Sequence, residues 1–102
     1  MAGEWTVLFD LEVVRGIQAW KGLNRIELDA VQRVLRAEGP AGLDWNAYDL
    51  AGFPDWDAIE EPMTRTFLTA FEERVYRLTL ELRPGRTIIV RKAEHFVSRF
   101  WR

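Results

Sequence analysis

The feature that most constrains the fold is an alternation of apolar and polar residues on both sides of a turn. Every second residue from Tyr76 to Leu82 is apolar, and the residues between them are polar. The sequence Arg-Pro-Gly-Arg at 83–86 has the composition of a turn, and residues 87–92 are again rich in β-branched side chains. This period of two predicts a β-hairpin over residues 75–92.

The length of the hairpin loop decides which side chains share a face. A loop of three residues places Leu82 opposite Ile88 and Leu80 opposite Val90. A loop of two residues would instead place Leu80 opposite Ile89. A slip of one residue exchanges the two faces of a strand, so we predict the three-residue loop, which keeps the apolar side chains together.

Other elements are predicted before the hairpin. The alternation over residues 4–15 predicts an N-terminal strand. Asn24 and Glu27 have the spacing of a capping box, and Gly39-Pro40 is a strong stop signal, so a helix is predicted between them. The apolar stripe of this helix consists of Leu28, Val31, Val34 and Leu35.

The middle of the chain contains two similar segments, Asp44–Asp49 and Asp55–Glu60. Each has a tryptophan followed by a polar residue and an acid at capping-box spacing, which predicts two short helices capped by Asn46 and Asp57. Glycine and proline residues then interrupt both segments.

Two later segments are ambiguous between helix and strand. We predict a helix that restarts at Pro62 and runs to Phe71, with a strand over residues 64–71 as the alternative. A short terminal helix is predicted within residues 93–102, where a strand is also compatible.

Together these elements predict an α+β fold. The N-terminal strand and the C-terminal β-hairpin form a small antiparallel sheet, and the helices pack on one face of it. The whole chain, residues 1–102, is expected to form one compact domain, because 102 residues are enough for a single core.

Composition excludes several classes of function. The chain has no cysteine, which excludes disulfides, thiolate metal sites and cysteine nucleophiles. No signal peptide and no membrane-spanning segment is recognisable, so a cytoplasmic protein is expected. The twelve arginines and few side-chain amides hint at a thermophilic source.

Charge is distributed unevenly along the chain. Residues 37–64 carry seven acids and no base, whereas residues 65–102 carry nine bases and four acids, a net charge of +5. We expect the acidic segment to lie against the basic one, because a compact chain tends to neutralise itself. The alternative is that each charged face meets another molecule.

The evidence for catalysis is weak. His95 and Ser98 are the single histidine and the single serine of the chain, without a nucleophile elbow or a well-placed carboxylate. The acids around Asp55 and Asp57 do not match a calcium loop and are explained by helix capping. We therefore predict no catalytic, cofactor-binding or metal-binding residue, and an enzyme that uses the acidic segment 38–61 is only the third hypothesis.

The leading hypothesis is a non-catalytic protein-interaction domain. Tryptophan and tyrosine are favoured anchors of protein interfaces, and five tryptophans are many for so small a domain. We predict a homodimer that uses a sheet edge or the acidic and aromatic segment, with a basic protein as another conceivable partner. The predicted interaction residues are Trp45, Tyr48, Phe53 and Trp56.

The second hypothesis is a nucleic-acid-binding module. Arginine beside aromatic residues can hold phosphates and stack on bases. The acidic block and the net charge of −2 oppose it. The predicted contact residues are Arg77, Arg83, Arg86, Arg91, Arg99 and Trp101.

Overall fold

The computed structural model describes residues 4–46 and 55–99, which form a sheet with two helices on one side of it. The sheet has the strand order β1-β5-β4-β3-β2. In chain order the elements are β1 (Thr6–Phe9), α1 (Leu11–Ile17), α2 (Leu23–Glu38), β2 (Trp45–Asn46), β3 (Met63–Phe71), β4 (Arg74–Arg83) and β5 (Thr87–Val97).

The predicted α+β class, with helices on one face of a sheet, is confirmed. The predicted hairpin is also confirmed, with Leu82 opposite Ile88 and Leu80 opposite Val90, as the three-residue loop requires. The sheet is mixed rather than purely antiparallel, because β1 pairs with β5 in the parallel direction. Two helices lie between β1 and β3, and such a crossover is long enough to return the chain to a parallel position.

The predicted N-terminal strand is correct only over Thr6–Phe9. Residues 11–15, predicted as its continuation, belong instead to α1. Val13 and Ile17 are both buried and are four residues apart, which is the spacing of one helical face. Because Val13 also fits an alternation with Leu11, the short apolar pattern was compatible with either structure.

Helix α2 ends where Gly39-Pro40 predicts, and its apolar stripe faces the sheet. The predicted capping box is wrong, because the helix begins at Leu23 and its N-cap, Gly22, makes no side-chain hydrogen bond. Asn24 and Glu27 both lie inside the helix and contact Tyr76 of β4 instead.

The helix predicted over residues 62–71 is wrong, and the alternative strand is correct. Residues 63–71 pair with β4 along the whole of β3. Threonine and phenylalanine suit a pleated surface, and the backbone of β4 from Arg74 to Leu82 obtains its partners on this side in this way. The terminal helix predicted from residue 93 is wrong over 93–97, which continue β5.

The two similar segments do not form two matching helices. Trp45 and Asn46 lie in β2, and the rest of the first predicted helix falls outside the described residues. The second segment forms a single 3-10 turn, Trp56–Ala58, and the Asp55 carboxylate accepts a hydrogen bond from the Asp57 backbone N–H at 3.0 Å. The cap therefore lies two residues before its predicted position.

The core lies between the helices and one face of the sheet. Its fully buried members come mainly from α2, β4 and β5: Leu28, Val31, Leu35, Leu78, Leu80, Leu82, Ile88 and Val90. Trp5 and Trp56 are also buried in this core and lie at its margins. None of the helices within 4–46 and 55–99 has the length and apolar character needed to cross a membrane.

Gly39 provides a test of how tightly this margin is packed. Gly22 and Gly39 both have positive φ, at 60° and 70°, but a Cβ at Gly39 would overlap the Trp5 ring, whereas nothing lies within 4 Å of one at Gly22. We expect Gly22→Ala to lower the free energy of unfolding by about 1 kcal/mol through backbone strain alone. Gly39→Ala should lower it by at least about 2 kcal/mol, because overlap adds to the same strain.

Urea denaturation of the two variants and the parent protein measures these differences. Equal losses for the two glycines would contradict the close packing of Trp5 on the end of α2.

Candidate functional site

The site of interest is the outer edge of β5, where this strand extends beyond its neighbour. β1 pairs only with residues 87–90, whereas β5 continues to Val97 and β4 accompanies it to that point. Within 4–46 and 55–99, no strand pairs with the outer side of residues 93–97. Residues 87–90 of β5 therefore have a neighbouring strand on both sides, whereas residues 93–97 have one, among the described residues, only on the β4 side.

A β-bulge at Arg91 determines which backbone groups point outward. Leu80 is opposite Val90 and Thr79 is opposite Lys92, so Arg91 is the additional residue. Beyond the bulge, the Ser98 N–H donates to the Glu73 carbonyl at 2.8 Å, on the β4 side.

Successive residues of a strand turn their N–H and C=O groups to opposite sides. Counting back from Ser98, the groups of Ala93, His95 and Val97 therefore point away from β4. No backbone or side-chain group of the described residues pairs with them.

The side chains beside this edge differ between the two faces of the sheet. On the face that the helices cover, the His95 ring stands edge-on against Trp20 at 4.6 Å and lies 6.4 Å from Tyr76. On the open face Phe96 is 39% exposed, and on the covered side Val97, at the strand end, is 69% exposed. Apolar surface therefore accompanies the unpaired backbone.

An ion pair fixes the open face next to the edge. The Arg77 guanidinium donates two hydrogen bonds to the Glu94 carboxylate, at 3.0 and 3.1 Å, and lies 5.7 Å from the centre of the Phe96 ring. Arg77 holds the pKa of the Glu94 carboxyl below its ordinary value. Between these side chains and β3 lies a shallow depression of about 450 Å³.

A buried polar network holds the other side of this half of the sheet. Glu27 of α2 is only 7% exposed. Its two carboxylate oxygens each accept a hydrogen bond from Arg74 at 2.8 Å, and one of them also accepts the Tyr76 hydroxyl at 2.7 Å. The side-chain oxygen of Asn24 lies 2.9 Å from the same hydroxyl.

This network ties α2 to the residues that pair with the end of β5. Arg74 is opposite Val97 and Tyr76 is opposite His95. The hydrogen bonds from Arg74 lower the pKa of Glu27 against the opposing effect of burial. Burial, together with the neighbouring carboxylate, raises the pKa of Tyr76. Glu27 is therefore ionised and Tyr76 protonated near neutral pH, which is the state that satisfies both groups.

A second ion network lies at the bulge. Arg91 contacts Asp10 at 2.6 Å and Glu81 at 2.7 Å, and Arg83 contacts the other oxygen of Glu81. Arg91 is the main cause of a lowered pKa of Glu81. The bulge is therefore held at the point where β1 ends and α1 begins.

Two of the four predicted interaction residues, Trp45 and Trp56, lie in the described part of the chain. Trp56 is buried in the core, with its ring edge-on to Phe67 at 5.7 Å, and so exposes little surface to a partner. Trp45 contributes its backbone to β2, next to Leu68 of β3. Tyr48 and Phe53 lie outside the described residues.

Four of the five arginines predicted to contact nucleic acid form ion pairs within the chain. Arg77, Arg83 and Arg91 point to the open face and contact Glu94, Glu81 and Asp10 as described above. Arg86 contacts Asp57 at 2.8 Å, which is an ion pair of the kind expected between the acidic and basic segments. Arg99 is exposed, and Trp101 lies outside the described residues. Nucleic-acid binding stays a prediction.

The acidic residues do not assemble a site for a metal ion in the described part of the chain. Asp55 caps the 3-10 turn, Asp57 contacts Arg86, and the Asp44 carboxylate accepts hydrogen bonds from Thr69 and Ala70 at the edge of β3. These three acids thus serve local structure.

Sequence reasoning missed both the role of Glu27 and the unpaired edge. Glu27 lies four residues before Val31, so a charged residue continues the apolar stripe of α2. This position was a detectable signal of a buried ion pair. The unpaired edge had no comparable signal, because it depends on where β1 stops.

Comparison of the chain with protein-family models, curated protein sequences and solved structures finds no significant match. For this chain, contacts and exposed groups are therefore the grounds on which one function is preferred over another.

Removal of the Glu27 carboxylate tests the buried network. We expect Glu27→Ala to lower the free energy of unfolding by about 3 kcal/mol, because it removes both hydrogen-bond acceptors of Arg74 in this network and one of the two acceptors of the Tyr76 hydroxyl. Asp29→Ala, an exposed acid of the same helix, is the matched control and should change it by less than about 0.5 kcal/mol. Urea denaturation at neutral pH measures both, and equal effects would contradict a dominant role for the network.

Three lowered carboxyl pKa values predict how stability depends on pH. Glu27, Glu81 and Glu94 all have a pKa below the ordinary 4.5 in the folded protein. The unfolded chain therefore binds more protons in acid, so their stabilisation is complete above that value and is lost as the pH falls through the folded pKa values. We expect the free energy of unfolding to stay level between about pH 7 and pH 5 and to fall towards about pH 3.

Denaturation at four pH values across this range tests the expectation, with Glu94→Gln as a variant that should flatten the slope. A stability that rises on acidification would contradict it.

Proposed function

We propose that this chain is a protein-interaction domain that forms a homodimer through the outer edge of β5. The observation that carries the proposal is the unpaired backbone of residues 93–97, whose three outward residues have no partner in the described chain. An open row of N–H and C=O groups is a template for another strand.

The sequence of this edge lacks the residues that usually prevent such pairing. Protective edges carry lysine or proline, or a bulge that twists the strand away. Residues 93–97 contain neither lysine nor proline, and the bulge lies before them. Their one acid, Glu94, is neutralised by Arg77, and Phe96 and Val97 add exposed apolar surface.

A second copy of the chain is the partner that this edge fits. An antiparallel strand pair has a two-fold axis, so the same five residues can satisfy each other from both copies. Both edges would then bring the same apolar side chains to the interface. The contact is short, which supports a weak dimer with a dissociation constant on the order of micromolar.

Loss of a single outward N–H tests this proposal. We expect Val97→Pro to weaken association at least about tenfold, because each copy loses one donor at the interface and proline is tolerated where a strand N–H faces solvent. Val97→Thr, which keeps the N–H and a β-branched side chain, is the matched control and should associate nearly as well as the parent protein. Sedimentation equilibrium over a wide concentration range measures all three.

Thermal unfolding of the dilute proteins separates association from folding, because a proline at the open edge should leave the monomer folded. A parent protein that remains monomeric at the highest concentrations would overturn the dimer. Equal association of the proline and threonine variants would overturn the role of the edge.

A further inference from the structure

We infer that the two β5 strands meet with His95 opposite the partner's His95, and that acid therefore weakens the dimer. This inference rests on the proposed homodimer and adds its register and its response to pH. It follows from the positions of the outward backbone groups and from the side chains around the imidazole.

One register satisfies every outward group. With His95 at the two-fold axis, Ala93 lies opposite the partner's Val97, and all three outward residues of each copy obtain a partner. These five residues are the whole of β5 beyond the bulge at residues 91–92.

The neighbouring registers leave groups unsatisfied. An axis at Glu94 brings two like charges together and places Val97 opposite the partner's Arg91, whose side chain contacts Asp10 at the end of β1. An axis at Phe96 places Ala93 opposite the partner's Arg99, which lies beyond the end of the strand at Val97.

The His95 register brings two imidazoles together on the face that the helices cover. Directly opposite residues of an antiparallel pair have Cβ atoms about 5 Å apart. The rings that contact His95, those of Trp20 and Tyr76, carry no charge near neutral pH.

The charged groups nearby are already engaged. Glu27 is paired with Arg74 behind the Tyr76 hydroxyl, and Glu94 and Lys92 contact each other and line the depression on the open face. No carboxylate among the described residues contacts His95, so two imidazolium charges would repel each other without compensation.

The direction of the pH effect follows from this repulsion. Histidine is the side chain that gains a proton, and with it a positive charge, as the pH falls through the physiological range. Since a charge on one imidazole opposes a charge on the other, the dimer binds protons less readily than the two monomers. Its stability is therefore complete at mildly alkaline pH and decreases as the pH falls through that range.

The first measurement is the dissociation constant at about pH 8 and about pH 5.5. We expect it to rise about fivefold to tenfold on acidification in the parent protein and to stay constant in His95→Gln, which keeps a polar side chain without the charge. His95 is the only histidine of the chain, so no second imidazole contributes to the change.

The second measurement is disulfide cross-linking through a single introduced cysteine, because the chain has no cysteine of its own. Under mild oxidation His95→Cys should form a disulfide-linked dimer, because opposite Cα atoms about 5.5 Å apart are within disulfide range. Val97→Cys is the matched control: it is 69% exposed in the parent protein yet lies opposite the partner's Ala93, so it should cross-link at least about tenfold more slowly.

The outcomes distinguish the register from the dimer itself. A monomeric parent protein at pH 8 would overturn the homodimer, and the register with it. A dimer whose dissociation constant does not change with pH, or that cross-links faster through Val97→Cys, would overturn the His95 register and leave edge pairing intact.

Discussion

The interaction on which the open half of the sheet depends is the pairing of Glu27 with Arg74 and Tyr76. A carboxylate that is almost completely buried is tolerated only when its charge and lone pairs are satisfied, and here two strong hydrogen bonds from a guanidinium and one from a phenol do so. These bonds join α2 to the beginning of β4. Because that part of β4 is the inner neighbour of the end of β5, the position of the edge follows from a contact on the covered face.

The second constraint is the difference in length between β1 and β5. β1 has four residues and β5 has eleven, so a single sheet contains a protected half-strand and an exposed one. The bulge at Arg91 marks the boundary, and its ion pairs with Asp10 and Glu81 hold the chain as it leaves β1 for α1. Shortening β1 at this point allows α1 to cover the core, and it leaves the end of β5 without an outer neighbour among the described residues.

The sequence predicts best where one local pattern has a single interpretation. Alternation around the turn at 83–86 fixes the hairpin and its register, because a slip would expose four apolar side chains. Prediction fails where a few apolar residues fit two periods, as in 11–15, 62–71 and 93–97. In 11–15 the burial of a helix face decides the structure, and in 93–97 pairing with the beginning of β4 does, neither of which is local. In 62–71 the deciding partner is the neighbouring strand β4, and the apolar pattern of the segment alone does not show that pairing. Glu27 is a related case. Its position in the sequence fits a helix cap, and only its distant partner Arg74 shows that it belongs to a buried ion pair.

The candidate functions differ in whether the groups they use already have partners within the chain. Arg77, Arg83, Arg86 and Arg91 each contact a carboxylate of the chain, so a phosphate would have to compete with a partner already in place. The outward groups of Ala93, His95 and Val97 have no partner within residues 4–46 and 55–99, so they give up only bound water when another strand approaches. A strand therefore gains hydrogen bonds at this edge without breaking any, whereas a nucleic acid must first displace ion pairs. This asymmetry favours protein association over nucleic-acid binding, and it favours a second copy because the edge is complementary to itself.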